Sequence, residues 1–111
     1  MEIKWMSSKS LDKRSLYKHT RGSSTSLKDV ADGTIIDPAE IVIYEDMNTK
    51  GETNTITSIM DMNGTHYTTN SKFFREELGK IWEIMDGDVF QIIVRKNVSK
   101  AGRTFVTCEL A

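Results

Sequence analysis

Residues 63–87 read NGTHYTTNSKFFREELGKIWEIMDG, and the fold is decided there. Asn63-Gly64 is a strong tight-turn signal, because both central positions of such a hairpin need a positive φ. His66-Tyr67-Thr68-Thr69 then returns as a short strand. Asn70 or Ser71 offers a side-chain oxygen to a free N–H of a following helical turn. Phe74, Leu78, Ile81 and Met85 come next at spacings of four, three and four, which is one apolar face of a helix. Phe73 and Trp82 widen that stripe, and Gly79 permits close packing. Arg75, Glu76, Lys80 and Glu83 fall on the wetter side. Asp86-Gly87 ends the helix. Hairpin, strand and helix thus follow in immediate succession.

Upstream of this stretch the chain reads as strands. Thr34-Ile35-Ile36 starts an extended segment in which Pro38 marks a kink or edge. Residues 39–46, AEIVIYED, alternate Ile41 and Ile43 against Val42 and Tyr44. Asn48 to Glu52 is a polar turn, and Thr53 to Met60 suits a pleated surface. Downstream, Val89 to Lys96 alternates Phe90, Ile92 and Val94 against Gln91, Ile93 and Arg95. A loop from Asn97 to Gly102 follows. In the last strand Val106, Cys108 and Leu110 share one face, and Phe105, Thr107 and Glu109 the other. The order is three strands, a helix and two strands. That is the order of the OB-fold, a mainly β, partly open five-stranded barrel with one α-helix between strands 3 and 4. A five-stranded α+β sandwich has the same order. In the barrel, Phe74, Leu78 and Ile81 would plug the bottom.

Residues 1–28 differ in kind. They hold seven cations (Lys4, Lys9, Lys13, Arg14, Lys18, Arg21, Lys28) against two anions, while the rest of the chain holds eight against fourteen. Ser and Thr crowd positions 7–26. The expected organisation is a basic, Ser-rich N-terminal extension over 1–28, which buries little, and a barrel over 29–111. Trp5, Leu11, Leu16 and Tyr17 argue against a wholly inert tail. The full chain of 111 residues carries a net charge of −1, which excludes a strongly basic chain and an acidic nucleic-acid mimic. One cysteine excludes an internal disulfide, and His19 and His66, far apart in sequence, offer little to a metal. No cofactor is expected. No apolar run approaches the roughly 18 residues of a membrane span, and residues 1–28 lack a signal-peptide core.

Catalysis finds no foothold. The acidic pairs Glu45-Asp46, Glu76-Glu77 and Asp86/Asp88 lie in turns or on a helix flank, with no His or Cys beside them. No phosphate-cradling glycine loop and no nucleophile elbow is present. Cys108 alternates with apolar residues and reads as core. His66, beside the Asn-Gly turn, reads as a surface residue. Stacking is the better chemistry. Single strands are held by aromatic faces under the bases and cations along the phosphates. Tyr44, Tyr67 and Phe105 each sit among polar neighbours on a strand face, as half-buried sheet aromatics also would. Arg95, Lys96, Lys100 and Arg103 bracket the last hairpin.

Leu27 to Ile36, LKDVADGTII, resembles the start of the core in the small single-stranded DNA-binding proteins of protein-primed tailed phages. Tyr44 in the first strand, Glu52 to Ile59, Tyr67 after the Asn63-Gly64 turn, the helix from Ser71 to Met85, and Val98 to Phe105 continue the likeness in order. The resemblance implies an OB-fold protein that coats displaced DNA strands in the infected host's cytoplasm, protects them and assists the phage DNA polymerase. It implies that Tyr44 and Tyr67 contact DNA. A further family tyrosine has no counterpart among Asn48, Thr49 and Lys50, so Lys50 is assigned an ionic contact instead. Some members self-associate through extra N-terminal residues, which makes 1–28 a candidate for that role. The expected site is one open trough holding Tyr44, Tyr67, Phe105, Arg95, Lys96, Lys100, Arg103 and Lys50, and it requires both tyrosines on one side of the barrel. The competing readings are a phage-encoded protein-interaction module and an RNA-binding barrel.

Overall fold

A computed structural model describes all 111 residues. In chain order the elements are β1 (Glu2–Met6), α1 (Lys13–Arg21), β2 (Thr25–Ser26), β3 (Ile35–Ile36), β4 (Pro38–Met47), β5 (Thr53–Asp61), β6 (His66–Thr69), α2 (Lys72–Met85), β7 (Ile92–Val98) and β8 (Thr104–Leu110). They form a five-stranded sheet, β1-β4-β5-β6-β2, and a three-stranded sheet, β3-β7-β8. Pro38 follows Asp37 at the point where one extended run leaves the small sheet as β3 and enters the large one as β4. The kink expected at Pro38 is therefore the corner that joins the sheets. The result is a mainly β, barrel-like architecture of open sheets with two helices.

The core lies between the sheets and α2. Ile36, Ile41, Ile59, Ile92, Val94, Val106 and Cys108 meet Phe74, Leu78 and Ile81 there. The helix face read from spacing is the one that is buried. Ser71 caps α2, accepting from the Phe74 N–H at 3.2 Å, and its own hydroxyl donates to the Val106 carbonyl. One short side chain thus starts the helix and ties it to β8. Burial pushes the Cys108 thiol up to about 12, with Glu77 and Glu109 adding to the shift, so this cysteine is an apolar filler.

Residues 1–28 are arranged differently from the expected loose arm. β1 pairs antiparallel with β4, matching Ile3 to Tyr44 and Trp5 to Ile43. β2 pairs parallel with β6, and Leu27 is fully buried in the core. Between them stands a second helix that the Ser-rich composition concealed. Asp12 caps it, accepting from the Ser15 N–H at 2.8 Å, and this bond holds the Asp12 carboxyl below its ordinary range. Gly22 ends it, where an added Cβ would stand 2.7 Å from the Lys18 carbonyl oxygen.

Candidate nucleic-acid interface

Cross-strand partners in an antiparallel pair lie on the same face. Ile41 pairs with Ile59 and Ile59 with Tyr67, so Tyr67 belongs to the inner face and packs against the core. Val42 pairs with Ser58 and Tyr44 with Ile56, which is the outer face. Tyr44 and Tyr67 therefore stand on opposite faces of one sheet. The single trough containing both does not exist, because the alternation that sets Ile41 inward sets Tyr44 outward.

Tyr44 is also covered, at 4% exposure. His19 and Arg21 of α1 reach Glu40 at 3.0 Å and Asp46 at 3.6 Å. Glu40, Val42, Tyr44 and Asp46 alternate on one face, so the last turn of α1, anchored through His19 and Arg21, lies over the two residues between. Burial, with the Asp46 carboxylate second, holds the Tyr44 phenol above its ordinary range. The buried His19 Nδ1 meets Ser58 Oγ at 2.7 Å while Nε2 meets Glu40, an arrangement that a neutral ring satisfies with Nε2–H donating and Nδ1 accepting. Burial is the main cause that lowers its pKa. His66 is not a free surface residue: its ring packs edge-on at 4.9 Å from His19, and its Nε2 is enclosed without a partner.

The other expected residues divide. Arg95 is engaged by Asp32 at 3.7 Å and Glu109 at 3.5 Å. Lys50 lies exposed in the β4–β5 turn, and Lys100 and Arg103 lie exposed around the β7–β8 turn. None of these three forms an ion pair. Phe105 and Lys96 come together in a cleft of about 480 Å³ between the start of α2 and the β7–β8 hairpin. Its wall also contains Lys28, Lys72 and Phe73, and no carboxylate lines it.

Each of these side chains is held by a neighbour. Leu27, buried and bonded through its N–H to the Thr68 carbonyl at 2.9 Å, places Lys28 at the rim. The Lys96 backbone N–H donates to Asp32 at 2.8 Å, and its ammonium donates to the Lys28 carbonyl. Phe73 follows the capped start of α2, next to the buried Phe74. It is 56% exposed, and its ring lies 4.7 Å from that of Phe105 at a 41° tilt. Lys72 makes only an exposed contact to Glu76 at 3.7 Å, the kind that contributes little. An exposed ring, Phe73, against a half-buried one, Phe105, stands beside three lysines, the groups that stacking under a base and contacting its phosphates require.

Residues 8–111 match the family model described as phage single-stranded DNA-binding protein. The chain belongs to that family. Single-stranded DNA is accordingly the partner class of this phage single-stranded DNA-binding protein. No curated protein and no solved structure matched the chain. No helix is long and apolar enough to cross a membrane. In this family member, Phe73, Lys28 and Lys72 line the candidate cleft without having been singled out in the sequence as binding residues. The available signal was the Phe73-Phe74 doublet: consecutive helical residues point about 100° apart, so with Phe74 in the buried face Phe73 stands at its edge.

Proposed function

We propose that this protein coats displaced single strands during phage DNA replication, without sequence preference, through the cleft between α2 and the β7–β8 hairpin. The observation that carries this reading is the Phe73–Phe105 pair lining one cleft with Lys28, Lys72 and Lys96. Phe73 and Phe105 stack on bases, which tolerates every base because each has a π-face. The three lysines contact phosphates, and Lys100 and Arg103 extend the basic rim from the adjoining loop. Lys50 and Arg95 are assigned peripheral ionic contacts. Tyr67 supports the inner wall of the barrel, and Tyr44 acts in the docking of α1.

The scaffold in this reading is an OB-fold barrel, supported by the strand order over residues 34–110 and by the helix plug of Phe74, Leu78 and Ile81. The host cytoplasm, where displaced strands and the phage DNA polymerase meet, is the site of action. Residues 1–28 contribute to contact between neighbouring subunits on the strand. Tyr17, 65% exposed on α1, supports that role.

Anisotropy of a labelled oligo(dT) tests the function. Tight binding of oligo(dT), with duplex DNA failing to compete, is expected, and Phe105→Ala should weaken it at least tenfold. Equal competition by duplex DNA, or no binding of oligo(dT), would remove the reading. Preferential competition by single-stranded RNA would move the function to RNA.

A further inference from the structure

A second opening lies where α2 faces β1. A slot of about 230 Å³ runs between β1 and the helix. Trp5 and Trp82 wall it, with ring centroids 5.0 Å apart and planes at 84°. Ile43, Leu78 and Gly79 complete the apolar lining, and Arg75 is the one charged residue there. Both indoles remain more than a third exposed, so the slot opens to solvent. A Cβ built on Gly79 meets nothing within 4 Å. A cavity of about 150 Å³ holds a benzene ring, so this one admits a single base.

We propose that this slot is a second base-binding station of the same bound strand, with one nucleobase against Trp82 and Trp5 and its phosphate on Arg75. The inference rests on the cleft being the first station. Two observations select a nucleic-acid strand as the occupant. Arg75 forms no ion pair, so its charge is free for a phosphate. The slot and the cleft share no lining residue, but each presents a cation from the first turn of α2: Lys72 lines the cleft and Arg75 the slot, three residues apart. Such positions stand about 5–6 Å apart at Cβ, on one surface of the helix. A strand leaving the Phe73–Phe105 pair crosses the helix start over both cations and enters the slot. A partner's apolar side chain would leave Arg75 without a counter-charge.

The test uses the full chain with oligo(dT) of increasing length, reading tryptophan emission and anisotropy in parallel. Binding should quench the tryptophans. Gly79→Leu fills the slot, and it should fold well because an interior helical glycine is destabilising by itself. That variant should lose the quenching, shorten the occluded length by one or two nucleotides, and weaken long oligonucleotides about fivefold or more. Arg75→Gln should weaken long oligonucleotides and leave short ones unchanged. Normal binding without quenching in the unaltered chain, or the same quenching and length dependence in Gly79→Leu, overturns the slot while the cleft stands. A Phe105→Ala chain that binds as before overturns the cleft instead. Loss of self-association, rather than of quenching, in Gly79→Leu would assign the slot to a protein contact and overturn the proposal.

Discussion

Tyr44 and Phe105 occupy similar settings in their strands, each alternating with polar neighbours, yet they end in opposite environments. On the outer face of the five-stranded sheet, α1 closes over Tyr44, and its buried His19 bonds Ser58 and Glu40 and packs against His66. Beside the β7–β8 hairpin Phe105 is only partly covered, and the ring packed against it, Phe73, is exposed. An aromatic on a polar strand face is therefore not yet a stacking platform. What decides is whether another element finds a polar handle there. Glu40 and Asp46 supply such handles for His19 and Arg21 of α1. The only charged groups of the cleft are lysines, which repel a basic helix and attract phosphates.

The largest effect that would break this contrast is loss of the open pair. Phe73→Ala with Phe105→Ala should raise the Kd for oligo(dT) about 10- to 100-fold, given roughly 1–3 kcal/mol per stacked base. An unchanged Kd would place stacking elsewhere. Next comes charge. Lys28, Lys72 and Lys96 changed together to Gln should flatten the slope of log K against log salt by about 2, since each single-strand phosphate contact contributes roughly 0.7. A slope equal to that of the unaltered chain would take the lysines off the phosphates.

The covered face responds to pH instead. His19 is held below its ordinary value of 6.5, so the native state takes up its proton later than the unfolded chain does. Its contribution to stability is present above about 6.5 and is lost as pH falls through the lowered native value. Thermal melts between pH 7 and 5 should show that loss, and His19→Gln should show less of it. A drop just as steep in His19→Gln would move the titration to another group. Smallest of all is the expected effect of Tyr44→Phe on DNA binding, within about twofold or under ~0.5 kcal/mol. A tenfold loss would mean that α1 leaves Tyr44 when DNA arrives.

Much of this molecule was legible before any coordinates. Periodicity placed α2 and its buried face, Asn63-Gly64 placed the β5–β6 turn, and alternation put Val106 and Cys108 inward with Phe105 opposite. Residues 1–28 were not legible, because α1 is held by tertiary partners rather than by an apolar stripe. Its buried residue is a histidine, and its capping and anchoring groups, Asp12, Arg21 and His19, look like ordinary solvated polar residues in sequence. The proposed cleft was half legible. Strand alternation and loop charge had named two of its lining residues, Phe105 and Lys96. Lys28, Lys72 and Phe73 reach the cleft from two other segments, and only folding brings them together. Tyr44 failed as a stacking residue because local alternation carries no record of a cover supplied from twenty residues away.

Ultraviolet crosslinking of the full chain to an oligonucleotide bearing 5-iodouracil, with the linked peptides identified by mass spectrometry, bears most directly on where bases lie. Adducts at Phe73 and Phe105 are expected. Adducts confined to Tyr44 or Tyr67, with none in the cleft, would contradict the account.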